Sequence, residues 1–188
     1  LYSAATGELK ALIQAQRLGE LRTGGVASVA IAHMARQDAR QGALFGAGTM
    51  GKAMLEGMVN ARDFQEIRVY DLNRERLEAF CARMTEQLAT PITPAGSADE
   101  AVAGADVVVT MTKAKEPVFD GKRLADGAMV VAAGSNLLQK REIDSTVVRR
   151  AARIVVESKD QAQLEAGDLF VPIDAGYLHW NQITELSQ

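Results

Sequence analysis

Short apolar segments alternate with amphipathic ones from residue 43 to residue 158, and this alternation limits the possible folds more than any other feature of the chain. The apolar segments have strand length and lie at 43–45, 67–71, 105–112, 128–133 and 152–158. Helix-like segments lie between them, near 49–60, 73–88, 98–103 and 144–151. Apolar strands joined by helices are typical of a parallel sheet that is covered on both faces. The sequence therefore predicts an α/β fold with a doubly wound parallel sheet.

Three segments fit this alternation less well. Segment 90–95, "TPITPA", has some strand character, but its two prolines favour an edge strand or a loop. Residues 1–16 are interpreted as a short β-hairpin around Thr6-Gly7, and 17–36 as a helix. Gly24 and Gly25 lie inside that helix, which indicates a close approach of backbone or ligand.

Composition excludes several classes of partner. A length of 188 residues suits one domain with a sizeable core, and the net charge of -3 disfavours nucleic acid. No apolar run approaches the roughly 20 residues that span a bilayer, so no membrane partner is expected. The single cysteine, Cys81, fits a reducing compartment, and the predicted location is cytoplasmic. His33 and His179 lack companions at metal-ligand spacing, so no metal site is expected.

A G-x-G-x-x-G pattern, "FGAGTMG", follows the first apolar strand. In a nucleotide-binding turn, Gly46 would permit the tight bend and Gly48 would leave room for a pyrophosphate. Gly51 would let the next helix pack close to the sheet. The free N–H groups of that helix, beginning near Thr49, would face the phosphates. The alternative is an ordinary strand-to-helix turn in a protein that binds no nucleotide.

An acidic residue occurs at the second position that such a site needs. Asp71 ends the second apolar strand, twenty residues beyond Gly51. Its carboxylate would accept hydrogen bonds from the adenosine ribose and would repel a 2′-phosphate. NAD is therefore favoured over NADP, although Arg74 lies close enough in sequence to reach a 2′-phosphate.

Four further strings are more specific, and they surround the glycine pattern in a fixed order. They are "LRTGG" (21–25), "VTMTKAKEPVF" (109–119), "AAGSNLLQKREID" (132–144) and "EAGDLFVPI" (165–173). Together they resemble the ornithine cyclodeaminase/mu-crystallin family, which includes alanine dehydrogenases and ketimine reductases. The resemblance extends over nearly the whole chain, and it implies a Rossmann domain in a longer, dimeric protein.

The resemblance also implies a division of the chain. Residues 1–36 would be a remnant of a substrate and dimerisation domain that is incomplete here. Residues 37–170 would form the dinucleotide-binding domain, and 171–188 would begin the return to the other domain. The chain thus resembles the middle of a longer protein, and the intact protein is expected to be a homodimer. The family's catalytic lysine, upstream of the "RT" motif, has no counterpart here, and Lys10 is not at that motif.

The resemblance carries roles to individual residues of this chain. Arg22 would bind the substrate carboxylate, for which a guanidinium fork is well suited. The expected cofactor contacts, besides the three glycines and Asp71, are Thr23, Thr49, Met50, Thr112, Ala133, Gly134, Ser135 and Lys140. Ordinary alternatives remain for these side chains, such as a surface arginine, a turn hydroxyl and a solvated lysine. Asp168 is predicted to orient a loop and not to take part in chemistry.

Asn136 occupies the position at which cyclodeaminases and archaeal-type alanine dehydrogenases of the family carry an aspartate. That aspartate transfers protons, whereas an asparagine cannot act as a general base. Ketimine reductases similar to mu-crystallin also lack it, so hydride chemistry stays possible. The leading prediction is an NAD-dependent oxidoreductase that moves hydride at the α-carbon of a small amino or imino acid, with Asn136 at the catalytic position. The alternatives are a non-catalytic dinucleotide-binding protein and a cyclodeaminase-type lyase.

Overall fold

A parallel sheet of five strands forms the centre of the protein. The computed structural model describes all residues from 1 to 188. The strands are β1 (Gln41–Phe45), β2 (Glu66–Tyr70), β3 (Ile92–Pro94), β4 (Val107–Thr110) and β5 (Met129–Ala132). Their order in the sheet is β3-β2-β1-β4-β5, and every pair is parallel. The chain moves outward from β1 in one direction and then in the other, which confirms the doubly wound α/β fold.

Seven helices connect and flank these strands. They are α1 (Gln16–Met34), α2 (Thr49–Ala61), α3 (Arg74–Leu88), α4 (Ala98–Val102), α5 (Ser145–Arg150), α6 (Lys159–Glu165) and α7 (Gly167–Asp174). Short 3-10 turns occupy Gly121–Arg123 and Trp180–Gln182. Four of the helices begin where a polar side chain accepts a backbone N–H of the first turn, and these capping residues are Asn73, Ser97, Asp144 and Ser158. The predicted helices near 49, 73, 98 and 144 are confirmed to within one or two residues.

Two of the segments considered as strands, 90–95 and 152–158, lie outside the centre of the main sheet. Segment 90–95 does hold a strand, β3, at the sheet edge, where Pro94 is tolerated. The apolar segment at 152–158 does contain a strand, β6 (Ile154–Val156), but it does not join the main sheet. It pairs in parallel with β7 (Ile183–Glu185), where the buried Ile183 lies opposite Ile154. The expectation that it extends the main sheet is wrong, because an apolar pattern identifies a strand without identifying its neighbour.

The first 34 residues comprise a tight turn followed by a long helix. Tyr2 and Leu9 form a single antiparallel bridge around a turn that ends at Gly7, so the predicted hairpin is reduced to one pair. Helix α1 packs directly against α2. A Cβ atom added at Gly24 would lie 2.3 Å from the carbonyl oxygen of Ala53, whereas one at Gly25 would meet nothing within 4 Å. The close backbone approach inferred from the paired glycines is therefore present at Gly24.

Two apolar cores lie on opposite faces of the sheet. Leu44 and Val109 face the core formed with α1, α2 and α3, and Phe45 and Val108 face the core formed with α4, α5 and α7. Successive residues of a strand point to opposite faces, so central strands buried on both sides are apolar throughout. No helix is both long and apolar enough to cross a membrane. The sheet thus has two covered faces, and its carboxyl edge is where the predicted site residues gather.

Candidate functional site

The turn between β1 and α2 places different demands on its three glycines. Gly46 has a φ of +107°, and a Cβ atom there would lie 2.3 Å from the carbonyl oxygen of Met111. A Cβ atom at Gly51 would lie 2.0 Å from the carbonyl oxygen of Gly46, so this glycine lets α2 start directly against the strand end. A Cβ atom at Gly48 would meet nothing within 4 Å. Two glycines thus serve packing, and the third opens onto free space.

Helix α2 points its amino terminus at that free space. It begins at Thr49 and continues into Met50, and no side chain caps its first turn. The first N–H groups of a helix and its dipole create a favourable position for an anion. Because β1 and β4 are neighbours while their connections run to opposite sides, this turn also lies at the switch point of the sheet, where doubly wound proteins bind ligands.

Asp71 lies beside the glycine turn, just after β2. One carboxylate oxygen accepts the N–H of Ala47 at 2.9 Å, and the other accepts the N–H of Asn73 at 2.8 Å. Arg76 pairs with the same carboxylate at 2.6 Å, and only 6% of the Asp71 side chain is exposed. Desolvation raises the pKa of Asp71, but the hydrogen bonds and the Arg76 charge outweigh it, so the pKa lies below its ordinary value. Asp71 is therefore ionised at neutral pH and fixes the turn.

The arginine next to Asp71 is not the one that the sequence drew attention to. Arg74 pairs with Glu78 at 2.7 Å and donates to the carbonyl oxygen of Ala95 at 3.2 Å. Arg76 is the cation that contacts Asp71. The two differ by about 200° around a helix of 3.6 residues per turn. Their side chains therefore project from nearly opposite faces of α3, and only Arg76 faces Asp71.

A second carboxylate, which sequence reasoning missed, organises the ends of β4 and β5. Glu142 is fully buried. One of its oxygens accepts the N–H and the hydroxyl of Thr112, at 2.6 and 2.7 Å. The other accepts the hydroxyl of Thr110 at 2.8 Å and the N–H of Gly134 at 2.6 Å. The residues after both strands are thereby tied to a single side chain.

Asp168, near the start of α7, holds Glu142 in turn. Its Oδ1 accepts the backbone N–H groups of Glu142 and Ile143, at 2.6 and 3.0 Å. Desolvation raises the pKa of Asp168, and the neighbouring Glu142 charge contributes in the same direction. A Cβ atom at Gly167 would lie 2.0 Å from the carbonyl oxygen of Lys140, so α7 packs tightly on the preceding loop. These contacts agree with the prediction that Asp168 orients a loop.

A cleft of about 680 Å³ lies beside β5. Arg22 and Thr23 of α1 line it, as do Ala133, Ser135 and Asn136 from the loop after β5. The Arg22 side chain is 74% exposed, and its nearest carboxylate oxygen, on Glu157, is 3.7 Å away. The structure thus brings the predicted substrate residue and the predicted catalytic position to one cleft.

The remaining predicted cofactor residues lie outside the lining of this cleft. They are Gly46, Gly48, Thr49, Met50, Gly51, Asp71, Thr112, Gly134 and Lys140. Gly134 and Thr112 meet at Glu142, and Lys140 accepts the Ser135 hydroxyl at its carbonyl oxygen, at 2.7 Å. The site therefore has two adjoining parts, the carboxyl edge of the sheet and the cleft beside β5. The individual roles assigned to these residues stay predictions.

An open glycine turn at a switch point, an uncapped helix start and an acid after β2 define a dinucleotide-binding protein of the Rossmann type. The chain belongs to the ornithine cyclodeaminase/mu-crystallin family, whose model matches residues 1–185. The family resemblance noted in the sequence is thereby confirmed.

Individual relatives agree with this assignment. The chain is 36% identical over 184 residues to a Delta(1)-pyrroline-2-carboxylate reductase of Bacillus cereus, covering 97% of this chain and 56% of the relative. It superimposes on the Thermococcus litoralis Delta(1)-pyrroline-2-carboxylate reductase in complex with NADH and L-proline, with a TM-score of 0.93, 30% identity, and coverage of 99% and 58%. An archaeal alanine dehydrogenase dimer with bound NAD gives a TM-score of 0.86 at 26% identity, over 98% and 56% of the two chains. The chain spans a little more than half the length of the curated relatives it matches.

Proposed function

We propose that this chain binds NAD(H) at the β1–α2 turn and forms the dinucleotide-binding part of an oxidoreductase acting on a small amino or imino acid. The observation that carries the proposal is the open space at Gly48, directly before an uncapped helix start. A pyrophosphate placed there would receive N–H groups at Thr49 and Met50, and no side chain would obstruct it. Of the solved relatives named above, one is in complex with NADH and the other has bound NAD.

Asp71 supports NAD over NADP in this proposal. Its carboxylate is ionised and lies at the carboxyl end of β2, where the ribose of the adenosine half is bound in this fold. A 2′-phosphate at that position would meet a buried negative charge. Arg76 already pairs with this charge through both carboxylate oxygens, so it is not a free phosphate ligand. The hydrogen bond from Ala47 links the carboxylate to the turn that would hold the pyrophosphate.

The cleft beside β5 supports a carboxylate-bearing substrate. Arg22 is largely exposed and has only a distant partner in Glu157, so its guanidinium is free to bind a carboxylate in a bidentate pair. The relatives named for Delta(1)-pyrroline-2-carboxylate, and the one solved with L-proline, act on or bind such molecules. Bound NAD(H) would supply or accept the hydride at the substrate α-carbon. Arg22 would hold the substrate carboxylate, and the loop at 133–136 would line the same cleft.

Asn136 favours a reductase or dehydrogenase over a deaminating lyase. It is exposed at the cleft, and an amide cannot accept a proton as a general base. A reaction that only adds or removes hydride and one proton makes smaller demands on such a base than a cyclodeamination does. A homodimer is proposed for the intact protein because the archaeal alanine dehydrogenase relative is a dimer. The cytoplasmic location stays a prediction.

The cofactor proposal is tested by isothermal titration of NADH into the wild-type protein and into Asp71→Ala. The wild type should bind, and loss of the ribose contacts and of the Ala47 tether should weaken binding roughly tenfold or more. Asp106→Ala is the matched control, because Asp106 also accepts two backbone N–H groups and pairs with an arginine, Arg36. Asp106 lies at the amino ends of β1 and β4, away from the proposed cofactor site at their carboxyl ends. Its loss should therefore affect stability and leave NADH affinity unchanged. A wild-type protein that does not bind NADH would contradict the proposal.

The substrate proposal is tested by NADH oxidation with a panel of cyclic imino acids that carry a carboxylate. Arg22→Lys keeps the charge but loses the fork, so it should raise KM by roughly tenfold while changing kcat less. Substrates without a carboxylate should show no difference between Arg22→Lys and the wild type. Formation of ammonia and proline from ornithine would instead revive the lyase alternative.

A further inference from the structure

Glu142 is a fully buried carboxylate whose purpose the proposed function does not yet explain. No cationic side chain pairs with it, and the neighbouring Arg141 pairs instead with Glu116 at 3.3 Å. A buried carboxylate is costly unless hydrogen bonds replace the lost water. Here four donors surround it, from Thr110, Thr112 and Gly134. An apolar residue would fill this space without the cost of burying a charge, so the contacts themselves need an explanation.

The contacts of Glu142 join two strand ends that no other side chain joins by hydrogen bonds. Thr112 lies just after β4, and Gly134 lies just after β5. A Cβ atom at Gly134 would lie 2.6 Å from both the carboxylate and the Thr112 backbone, so the two segments are in direct contact. The adenosine half of a dinucleotide lies on the β2 side of the switch point, so its other half lies on the β4 and β5 side.

We propose that Glu142 is a positioning residue for the nicotinamide end of the dinucleotide site, and this rests on the proposed function. It fixes the distance between Thr112 and Gly134, and through Gly134 it sets the course of the loop that carries Ser135 and Asn136. Asp168 anchors Glu142 from behind by accepting its backbone N–H. The line of support thus runs from α7 through Asp168 and Glu142 to the two strand ends.

The geometry makes a neutral amide an unsuitable replacement. Each carboxylate oxygen of Glu142 accepts one backbone N–H, from Thr112 on one side and from Gly134 on the other. The amide group of a glutamine has one acceptor and one donor. Whichever way it turns, its NH₂ group would face a backbone N–H at about 2.6 Å. Glu142→Gln therefore forces the two strand ends apart while keeping the size of the side chain.

The test compares the binding of NADH with that of ADP-ribose, which lacks the nicotinamide ring. Glu142→Gln should weaken NADH binding roughly tenfold and change ADP-ribose binding less than about twofold, because only the nicotinamide end is displaced. Glu100→Gln is the matched control, since Glu100 also accepts a backbone N–H, from Gly96 at 2.7 Å, but is exposed and contacts the segment after β3, the strand at the opposite edge of the sheet from β5. It should change neither affinity.

Equal weakening of both ligands, or no change in either, would overturn the inference, since both outcomes assign Glu142 a purely structural role or none. Thr110→Val gives a second variant if Glu142→Gln fails to fold, because it removes one hydroxyl donor at nearly constant volume. It should show the same split to a smaller degree.

A further readout does not depend on cofactor binding. Hydrogen exchange of the unliganded protein should become faster at residues 112–114 and 133–140 in Glu142→Gln, and stay unchanged at the β1–α2 turn. Unchanged exchange in both segments would refute the inference on its own. Failure of the wild type to bind NADH would refute the proposed function, and the exchange result would still show whether Glu142 fixes the segments after β4 and β5.

Discussion

On both sides of the carboxyl edge of the sheet, a carboxylate fixes the loops after the strands, but the two carboxylates have different partners. On the β1–β2 side, Asp71 accepts two backbone N–H groups and pairs with Arg76. On the β4–β5 side, Glu142 also accepts two backbone N–H groups, but its other partners are threonine hydroxyls. Both carboxylates fix loops at the ends of parallel strands, yet only the first has a cation beside it.

The difference shows in how ionisation affects each side. Hydrogen bonds and the Arg76 charge hold the pKa of Asp71 below its ordinary value, so ionisation favours the folded state there. Burial raises the pKa of Asp168, which lies behind Glu142, so ionisation opposes folding there. Ionisation of Asp71 thus stabilises the β1–β2 side, whereas ionisation of Asp168 opposes the packing of α7 behind the β4–β5 side.

The largest effect is expected at Gly51. Gly51→Ala would place a methyl group 2.0 Å from the carbonyl oxygen of Gly46, so one of the two backbone segments must shift. The start of α2 would be displaced from the strand, and we expect a loss of about 3 kcal/mol or more in the free energy of unfolding. Urea denaturation followed by circular dichroism measures it.

Gly48→Ala is the control within the same turn. Its methyl group would meet no protein atom within 4 Å, so the free energy of unfolding should change by less than about 1 kcal/mol. NADH binding should nevertheless weaken, because the methyl group enters the space assigned to the pyrophosphate. Equal stability losses in the two variants would show that the turn is packed differently from the structure.

The β1–β2 side was largely predictable from the sequence, because its contacts are set by local pattern. The glycine spacing, the strand before it and the acid after β2 are close in sequence and have one common geometry. The contact between Arg76 and Asp71 was not predicted, since it depends on where each side chain projects from α3.

The β4–β5 side was not predictable in the same way. Glu142 meets residues more than twenty positions away on β4, and nothing in the string "KREID" distinguishes it from a surface acid. The pairing of β6 with β7 was not predictable either, because the sequence of a three-residue strand does not indicate which strand it pairs with. Asp168 was correctly interpreted as a loop-orienting residue, yet the loop that it orients is visible only in three dimensions.

Asp71→Asn removes the negative charge on the β1–β2 side. An asparagine cannot accept from both Ala47 and Asn73, and it loses the pair with Arg76, so we expect a loss of roughly 2 kcal/mol in the free energy of unfolding at neutral pH. Because the folded-state pKa is lowered, the stabilisation by Asp71 is present above the ordinary pKa of 3.8 and is lost as the pH falls through the folded-state value. The difference from wild type should therefore shrink on acidification. A difference that stays constant down to the lowest pH would argue against an ionic contribution.

The smallest effect is expected for Asp168→Asn, and its pH dependence should have the opposite sign. Only Oδ1 of Asp168 accepts the backbone N–H groups of Glu142 and Ile143, so the amide oxygen of an asparagine can keep both bonds. Because burial raises the folded-state pKa, wild-type stability is fully present below the ordinary pKa of 3.8 and falls as the pH rises through the folded-state value. Asp168→Asn carries no charge at any pH and avoids this loss. Thermal unfolding of the two proteins from acid to neutral pH should therefore show the variant gaining stability relative to wild type as the pH rises. A relative loss would mean that the ionised Asp168 is stabilised by its surroundings, and the contrast between the two sides of the edge would then disappear.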